Sequence, residues 1–388
     1  MALTKVSTGV VDMSGNTGGL VIAKGNDLER PASPSIGMIR ESTETTPSKI
    51  EVYTDNSGTP GWQFLEEAGP SFIPLTVDYL VVAGGGGGGA YSRIVTSLGG
   101  TGGGAGGYRT SFGTGNVNGG NTAVESTLTT MTTATPYQLT VGAGGAGGPV
   151  NPTPTNAATN PTRYADQGDN SVFHTITSTG GGGGYEPFAG TPNSTILRGG
   201  SNAGSGGNGT AAVSYTTSPV QGFIGGRNTT YSSPFGSGGG GGASSVGGNG
   251  GNSSLGGGNG GAGFSNQISG YAVDYAGGGG GSVNKNQGVA GTATFGGGDG
   301  NSNGAGYDGT LNTGGGGGGA SGIDYPYTSY KGGDGGSGVV ILRYPSAYTI
   351  NFQTGVGFIS STATLSATSE KVTTITAGSG TITFALIP

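Results

Sequence analysis

Two uninterrupted runs of six glycines constrain this chain more than any other feature: VVAGGGGGGA at 81–90 and GGGGGGASG at 314–322. Between them come GGGAGG, GAGGAGG, two runs of GGGGG, GGGNGGAG, AGGGGG and FGGGDG. Glycine loses more freedom on ordering than any other residue, and fixing one backbone unit costs roughly 1–2 kcal/mol. A glycine run has no side chain to bury in return. One outcome is a flexible linker, which usually mixes glycine with serine. The other is a lattice of polyproline-II-type helices, with three residues per turn and ~3.1 Å of rise, whose amides pair with neighbouring helices. Only glycine lets backbones approach on every side, adding weak Cα–H···O contacts to N–H···O bonds. Six glycines would then form a rod of roughly 19 Å. Aromatic and β-branched clusters interrupt the runs at intervals suited to turns, and linkers rarely carry strands such as VVILRY on their flanks. The lattice is the expectation.

Glycine and charge divide the chain in the same places. Of 94 glycines in 388 residues, nine fall in 1–76 and four in 346–388, leaving 81 in 77–345. Fourteen of the thirty-four charged residues precede Ala68. The reading is three domains: a small N-terminal β module for attachment or oligomerisation (1–76), a polyglycine-II domain with short flanking β-strands (77–345), and a C-terminal β module (346–388). The whole should be mostly β and irregular, with essentially no α-helix.

Within 1–76, GMIRE (37–41), KIEVYT (49–54) and GWQFLEE (61–67) are strand candidates, with Ile50 and Val52 alternating against Glu51 and Tyr53. Trp62 reads as the packing anchor. Further on, VDYLVVA (77–83), PYQLTVGAGG (136–145), SVFHTITSTGGGGG (171–184) and GVVILRYP (338–345) should form a small sheet that feeds and receives the glycine rods. In 346–388, YTINF, KVTTIT and TITFALI read as strands, with AGSG (377–380) as a hairpin turn.

Several functions are disfavoured. A formal charge of −6 with 9% charged residues argues against a phosphate-binding surface, so no nucleic-acid partner is expected. No apolar run reaches the ~18 residues of a membrane span, and MALTKVSTGVVDM lacks a signal-peptide pattern, so no membrane insertion is expected. VVAGGGGGGA matches a dinucleotide fingerprint at Gly84, Gly86 and Gly89, but the following AYSRIVTSLGG is too short and glycine-bound for the helix that would face a pyrophosphate. Contiguous glycines exclude collagen, which needs glycine at every third position. His174 is the only histidine and reads as a polar strand residue, so a triad or histidine metal site has little support. DGNSNGAGYDG (299–309) only slightly resembles a calcium loop and lacks its twelfth-position glutamate. The expectation is a protein that is not an enzyme, with no cofactor and no metal site.

The tyrosines and phenylalanines of the middle region cluster in excursions between glycine runs. They are Tyr185, Phe188, Tyr231, Phe235, Tyr271, Tyr275, Tyr325, Tyr327 and Tyr330. One reading is that they seal the rod ends from water. The other is a binding tip, since tyrosine gives large, rigid contact area at low entropic cost beside Gly, Ser and Asn.

The order VDYLVVAGGGGGGA, GGGAGGYR, YQLTVGAGGAGG, a strand before TGGGGG, and GGDGGSGVVILRYP resembles the glycine-rich domain of bacteriophage tail fibres. RPASPSIGMIRESTETTPSKIEVYTDNSGTPGWQFL (30–65) is similar to N-terminal modules of phage fibre and appendage proteins, and SEKVTTITAGSGTITF (369–384) to their terminal segments. The resemblance implies a virion appendage exposed to the extracellular medium, with packed polyglycine-II helices whose loops recognise a bacterial surface receptor, a glycan or an outer-membrane protein. It also implies contacts with other virion proteins through the N-terminal module and a homo-oligomer, trimers being common among such fibres.

Overall fold

The computed structural model describes residues 24–35, 38–44, 49–56, 59–64, 74–91, 99–113, 117–150, 164–185, 196–206, 218–229, 236–251, 256–284, 288–322 and 329–387. It divides into two compact units, Met1–Ile73 and Pro74–Pro388. Described helices are limited to short 3-10 turns at Asp27–Glu29 and Gly119–Asn121; all other regular secondary structure is β. The chain is mostly β and irregular, as its composition requires.

The first unit holds a four-stranded sheet of Lys24–Gly25, Ile39–Ser42, Lys49–Asn56 and Thr59–Phe64 in sequence order. The first pair is parallel and the others antiparallel. Its interior differs from the alternation read in the sequence. Glu51 is buried, whereas Ile50 and Val52 are only half-buried. The reason is charge pairing: Glu51 takes Arg30 Nη2 at 2.6 Å and Arg40 Nε at 3.1 Å, so an ion cluster occupies the sheet's buried side. Trp62 anchors the other strands, edge-on to Tyr53 at 5.5 Å with the Arg40 guanidinium 5.8 Å from its ring centre.

In the second unit a β-sandwich carries the glycine rods. One sheet has the strand order Ile359–Leu365, Glu370–Ala377, Val339–Pro345, Asp78–Val82, Tyr108–Thr110. The facing sheet runs Ile176–Ser178, Ser171–Phe173, Tyr137–Thr140, Ser379–Leu386, Tyr348–Phe352. Between them lie Tyr79, Val81, Leu139, Phe173, Val340, Leu342, Tyr344, Ile375, Ile382 and Phe384, all buried. The first sheet is covered on its other face too. Leu80, Val82, Val339 and Ile341 pack there against Tyr108, Ile268 and Tyr275. Burial on both faces explains why VDYLVV and VVILRY are nearly continuous apolar runs.

Three local features differ from the sequence reading. SVFHTITS is two strands, because His174 takes a left-handed conformation (φ 53°) and turns Phe173 back onto Ile176. His174 sits exposed in that turn, its ring edge-on to Tyr137 at 5.2 Å. AGSG makes no hairpin: Glu370–Ala377 belongs to one sheet and Ser379–Leu386 to the other, with Gly378 (φ 115°) at the crossing. Residues 346–388 accordingly lie within the same compact unit as the rods.

The glycine runs form the expected lattice. Gly84–Gly89 has rods on all sides, and its partners repeat every third residue. Gly84 and Gly87 donate to Asp169 and Asp166, Gly85 and Gly88 to Gly336 and Gly333, Gly86 and Gly89 to Gly104 and Thr101, at 2.8–3.1 Å. These three neighbours run antiparallel. Its carbonyls accept from Gly181 and Gly184, Gly145 and Gly148, Gly317 and Ala320, at 2.8–2.9 Å. Those three run parallel. Period three is the polyglycine-II repeat, and every N–H and C=O of the run is satisfied by a neighbouring rod. A Cβ on any of these six glycines would lie 1.9–2.2 Å from a carbonyl oxygen of a parallel neighbour, which is why the run tolerates no side chain. The runs at 100–107, 238–242, 277–282 and 315–320 are surrounded in the same way.

One ion pair braces the sandwich. Arg343 donates to Glu370 from Nη2 at 2.5 Å and Nε at 2.9 Å. Burial alone would raise the Glu370 carboxyl, but hydrogen bonds from Arg343 and Thr368 and the Arg343 charge outweigh it and hold the pKa below the ordinary value. A depressed carboxylate contributes stability that is present above its unfolded pKa and is lost as pH falls through the lowered folded value. Thermal melts between about pH 7 and pH 2 are expected to fall more steeply for the native chain than for Glu370→Gln, which starts lower at neutral pH. Parallel curves would show that the pair contributes nothing.

Candidate functional site

The rods have two unlike ends. At one end they join the sandwich: Val82 leads into Gly84, Gly107 into Tyr108, Asn170 into Ser171, Ser178 into Gly180, and Gly338 into Val339. At the far end, Gly89 lies beside Thr101 and Ala320, and Tyr91 pairs with Tyr330 through backbone bonds of 3.1 and 3.3 Å. Tyr164 bridges to Tyr185 there. Following the rods through their hydrogen bonds shows which excursions start at that far end. They are 92–98, 151–163, 186–195, 230–235, 252–255, 285–287 and 323–328, judged by the described residues that flank them; 207–217 follows Gly206 at the far end but is succeeded by Gln221, which lies against Tyr108 and Thr179 at the sandwich end. At the sandwich end the chain instead turns through described segments such as 243–245, 264–275 and 311–314.

The aromatic candidates therefore do not share one place. Tyr185 is at the far end but buried. Its hydroxyl donates to the Gly206 carbonyl at 2.7 Å and accepts the Gly206 N–H at 2.9 Å, and Thr101 Oγ1 accepts its N–H at 2.9 Å. With Leu197, Ala203 and the half-buried Tyr164 it forms a small apolar cluster. Tyr330 is half-buried at the same end. Phe188, Tyr231, Phe235, Tyr325 and Tyr327 lie outside the described residues, in excursions that leave from that end.

Tyr271 and Tyr275 belong to the sandwich end. Tyr275 closes the hairpin Phe264–Asn266/Val273–Tyr275, and burial pushes its phenol well above the ordinary range. Tyr271 caps the same hairpin, 68% exposed. Truncating Tyr275 to alanine is expected to cost about 3–5 kcal/mol, as for other buried aromatics, whereas Tyr271→Ala should stay within about 0.5 kcal/mol of the parent. Denaturant titration separates the two.

Sequence reasoning missed one class of residue. Outer rods lack a neighbour on one side, and Asp or Asn side chains replace it. Asp334 Oδ1 accepts Gly147 N–H at 2.6 Å, Asp308 Oδ1 accepts Asp334 N–H at 2.7 Å, and Asp299 Oδ1 accepts Ala293 N–H at 2.6 Å. Asn259 and Asn249 accept Thr292 and Arg227 N–H at 3.0 and 2.9 Å. Burial alone would raise Asp334, but Gly147 N–H and Lys331, whose Nζ lies 2.6 Å from Oδ1, lower it. For Asp299, Asp334, Asn249 and Asn259 the signal was available as Asp or Asn inside glycine runs, in GGDG, GGNG and GGGNGG; Asp308, in AGYDGT, carried no such mark. Asp299 and Asp308, which resembled calcium-loop residues, are engaged in this role. Among the described residues, no group of three or more His, Cys, Asp or Glu is placed to hold a metal ion.

The sequence matches the family model of a glycine-rich domain over residues 68–345. The chain belongs to the glycine-rich domain family. No curated protein matches it. The family's extent covers every rod of the lattice but stops at Pro345, so the strands Glu370–Ala377 and Ser379–Leu386, which this fold needs, fall beyond it.

Proposed function

We propose that this glycine-rich protein is a phage tail fibre or other virion appendage that recognises a bacterial surface receptor, a glycan or an outer-membrane protein, through the excursions at the far end of its lattice. The observation that carries this reading is the placement of those excursions. Several aromatic-containing segments leave from one end of a rigid scaffold, and the opposite end is closed by a packed sandwich. Binding residues concentrate on connections held by rigid elements, and Tyr, Ser, Gly and Asn suit adaptable recognition. The N-terminal unit would join the chain to other virion proteins, and copy number would multiply weak contacts into avidity. The function is binding, with no chemical step.

A second reading, a structural spacer without receptor specificity, is favoured by Tyr185, whose ring and hydroxyl are spent on internal packing. The two separate experimentally. Replacing 186–195 and 323–328 in the full chain with Gly-Ser segments of equal length should abolish binding to susceptible cells while leaving the melting temperature unchanged. Unchanged adsorption by a folded variant would favour the spacer.

A further inference from the structure

We infer that the edge strand Ile359–Leu365 is a pairing surface for a second copy of this chain. Every residue from Ile359 to Thr364 is exposed, and Leu365 is half-buried. The strand pairs on one side only, with Glu370–Ala377, and no other described backbone bonds its outer edge. Isolated sheets normally guard such an edge with charge, proline or a central bulge. ISSTATL has no charge and no proline, and its register shift falls at its first residue.

The sequence of the strand names the occupant. About Thr362, the pattern reads the same in both directions. In an antiparallel pair of two copies centred there, Ile359 meets the partner copy's Leu365 and Ser361 meets its Ala363 on one face. On the other, Ser360 meets Thr364 and the two Thr362 residues meet each other. Apolar ends pair with apolar ends, and small residues, all hydroxylic except Ala363, fill the centre, a pairing compatible with favourable cross-strand contacts. Ile359, 62% exposed in the single chain, gains an apolar neighbour. The symmetry is twofold, so in a trimer built through the N-terminal unit this contact would join neighbouring trimers.

The chain contains no cysteine, so one introduced thiol reports the register without background. In the full-length protein, Thr362→Cys should accumulate as a disulfide-linked dimer under mild oxidation. Ser360→Cys should not, because its copies would lie four residues apart, about 13 Å, beyond disulfide reach. Adding Ser361→Lys and Ala363→Lys to Thr362→Cys sets like charges opposite each other and should suppress the crosslink several-fold. Adding Ser361→Lys and Ala363→Glu sets opposite charges together and should retain it. Folding of each variant is checked by its melting transition. Equal crosslinking at 360 and 362, no crosslinking at 362, or no difference between the charge variants would overturn the pairing, including the case in which another protein occupies the edge.

Discussion

A chain truncated after Pro345 is expected to lose the fold of the whole second unit, lattice included. The truncation removes Glu370–Ala377, which lies between Val339–Pro345 and the edge strand, and Ser379–Leu386, which lies between Tyr137–Thr140 and Tyr348–Phe352. It takes Ile375, Ile382 and Phe384 out of the sandwich core and opens Leu139, Val340, Leu342 and Tyr344 to water. Each fully buried side chain of this size contributes about 1.5–3 kcal/mol. Three of them already approach the roughly 5–15 kcal/mol that keeps a typical domain folded. The rods depend on the sandwich because glycine runs bring no burial of their own. Amide exchange should therefore show the rod amides, such as those of Gly84–Gly89, Gly100–Gly107 and Gly315–Ala320, protected in the full chain and unprotected in the truncated one. Protection that survives truncation would mean the lattice is self-sufficient.

Gly86→Ala should be among the most damaging single substitutions in the molecule. The new methyl would sit 2.1 Å from the Gly182 carbonyl oxygen and 2.5 Å from its carbon. Neither rod can yield without breaking bonds to its other neighbours, since Gly86 donates to Gly104 and accepts from Gly317, and Gly182 donates to Ser201. Overpacking of an ordinary core costs about 1–3 kcal/mol; here the obstacle is backbone on every side, and about 3–5 kcal/mol is expected. For a unit of this size that is roughly 10 °C in melting temperature. Ala143→Ser, on an exposed outer position of the rod 142–148, should change almost nothing. Equal effects at the two positions would show that lattice packing does not control stability.

Much of this was legible in the residues. Contiguous glycine with no helix signal implied rods that pair through the main chain, and VDYLVV and VVILRY announced the strands that frame them. What the residues did not disclose depends on long-range partners. Nothing near Glu51 says that Arg30 and Arg40 will draw it inside. Nothing in AGSG says that its flanking strands will part company at Gly378, since a tight turn and a crossing between sheets use the same residue types. The division of the tyrosines between two ends follows from the direction of each rod, which is fixed by how often the chain reverses. Tyr275 and Tyr271 look alike in sequence, yet Tyr275 lies in the strand that pairs with Phe264–Asn266 and is buried, whereas Tyr271 lies in the turn before that strand and is exposed.

The aspartates and asparagines on the outer rods have a consequence for growth. A hexagonal array of identical filaments has no intrinsic limit sideways, and each unmet amide on its perimeter is a template for the next filament, from the same molecule or another. Asp299, Asp308, Asp334, Asn249 and Asn259 occupy such perimeter amides with their own oxygens. They act as impurities do on a crystal face, and they keep a particle made largely of silk-like chain finite.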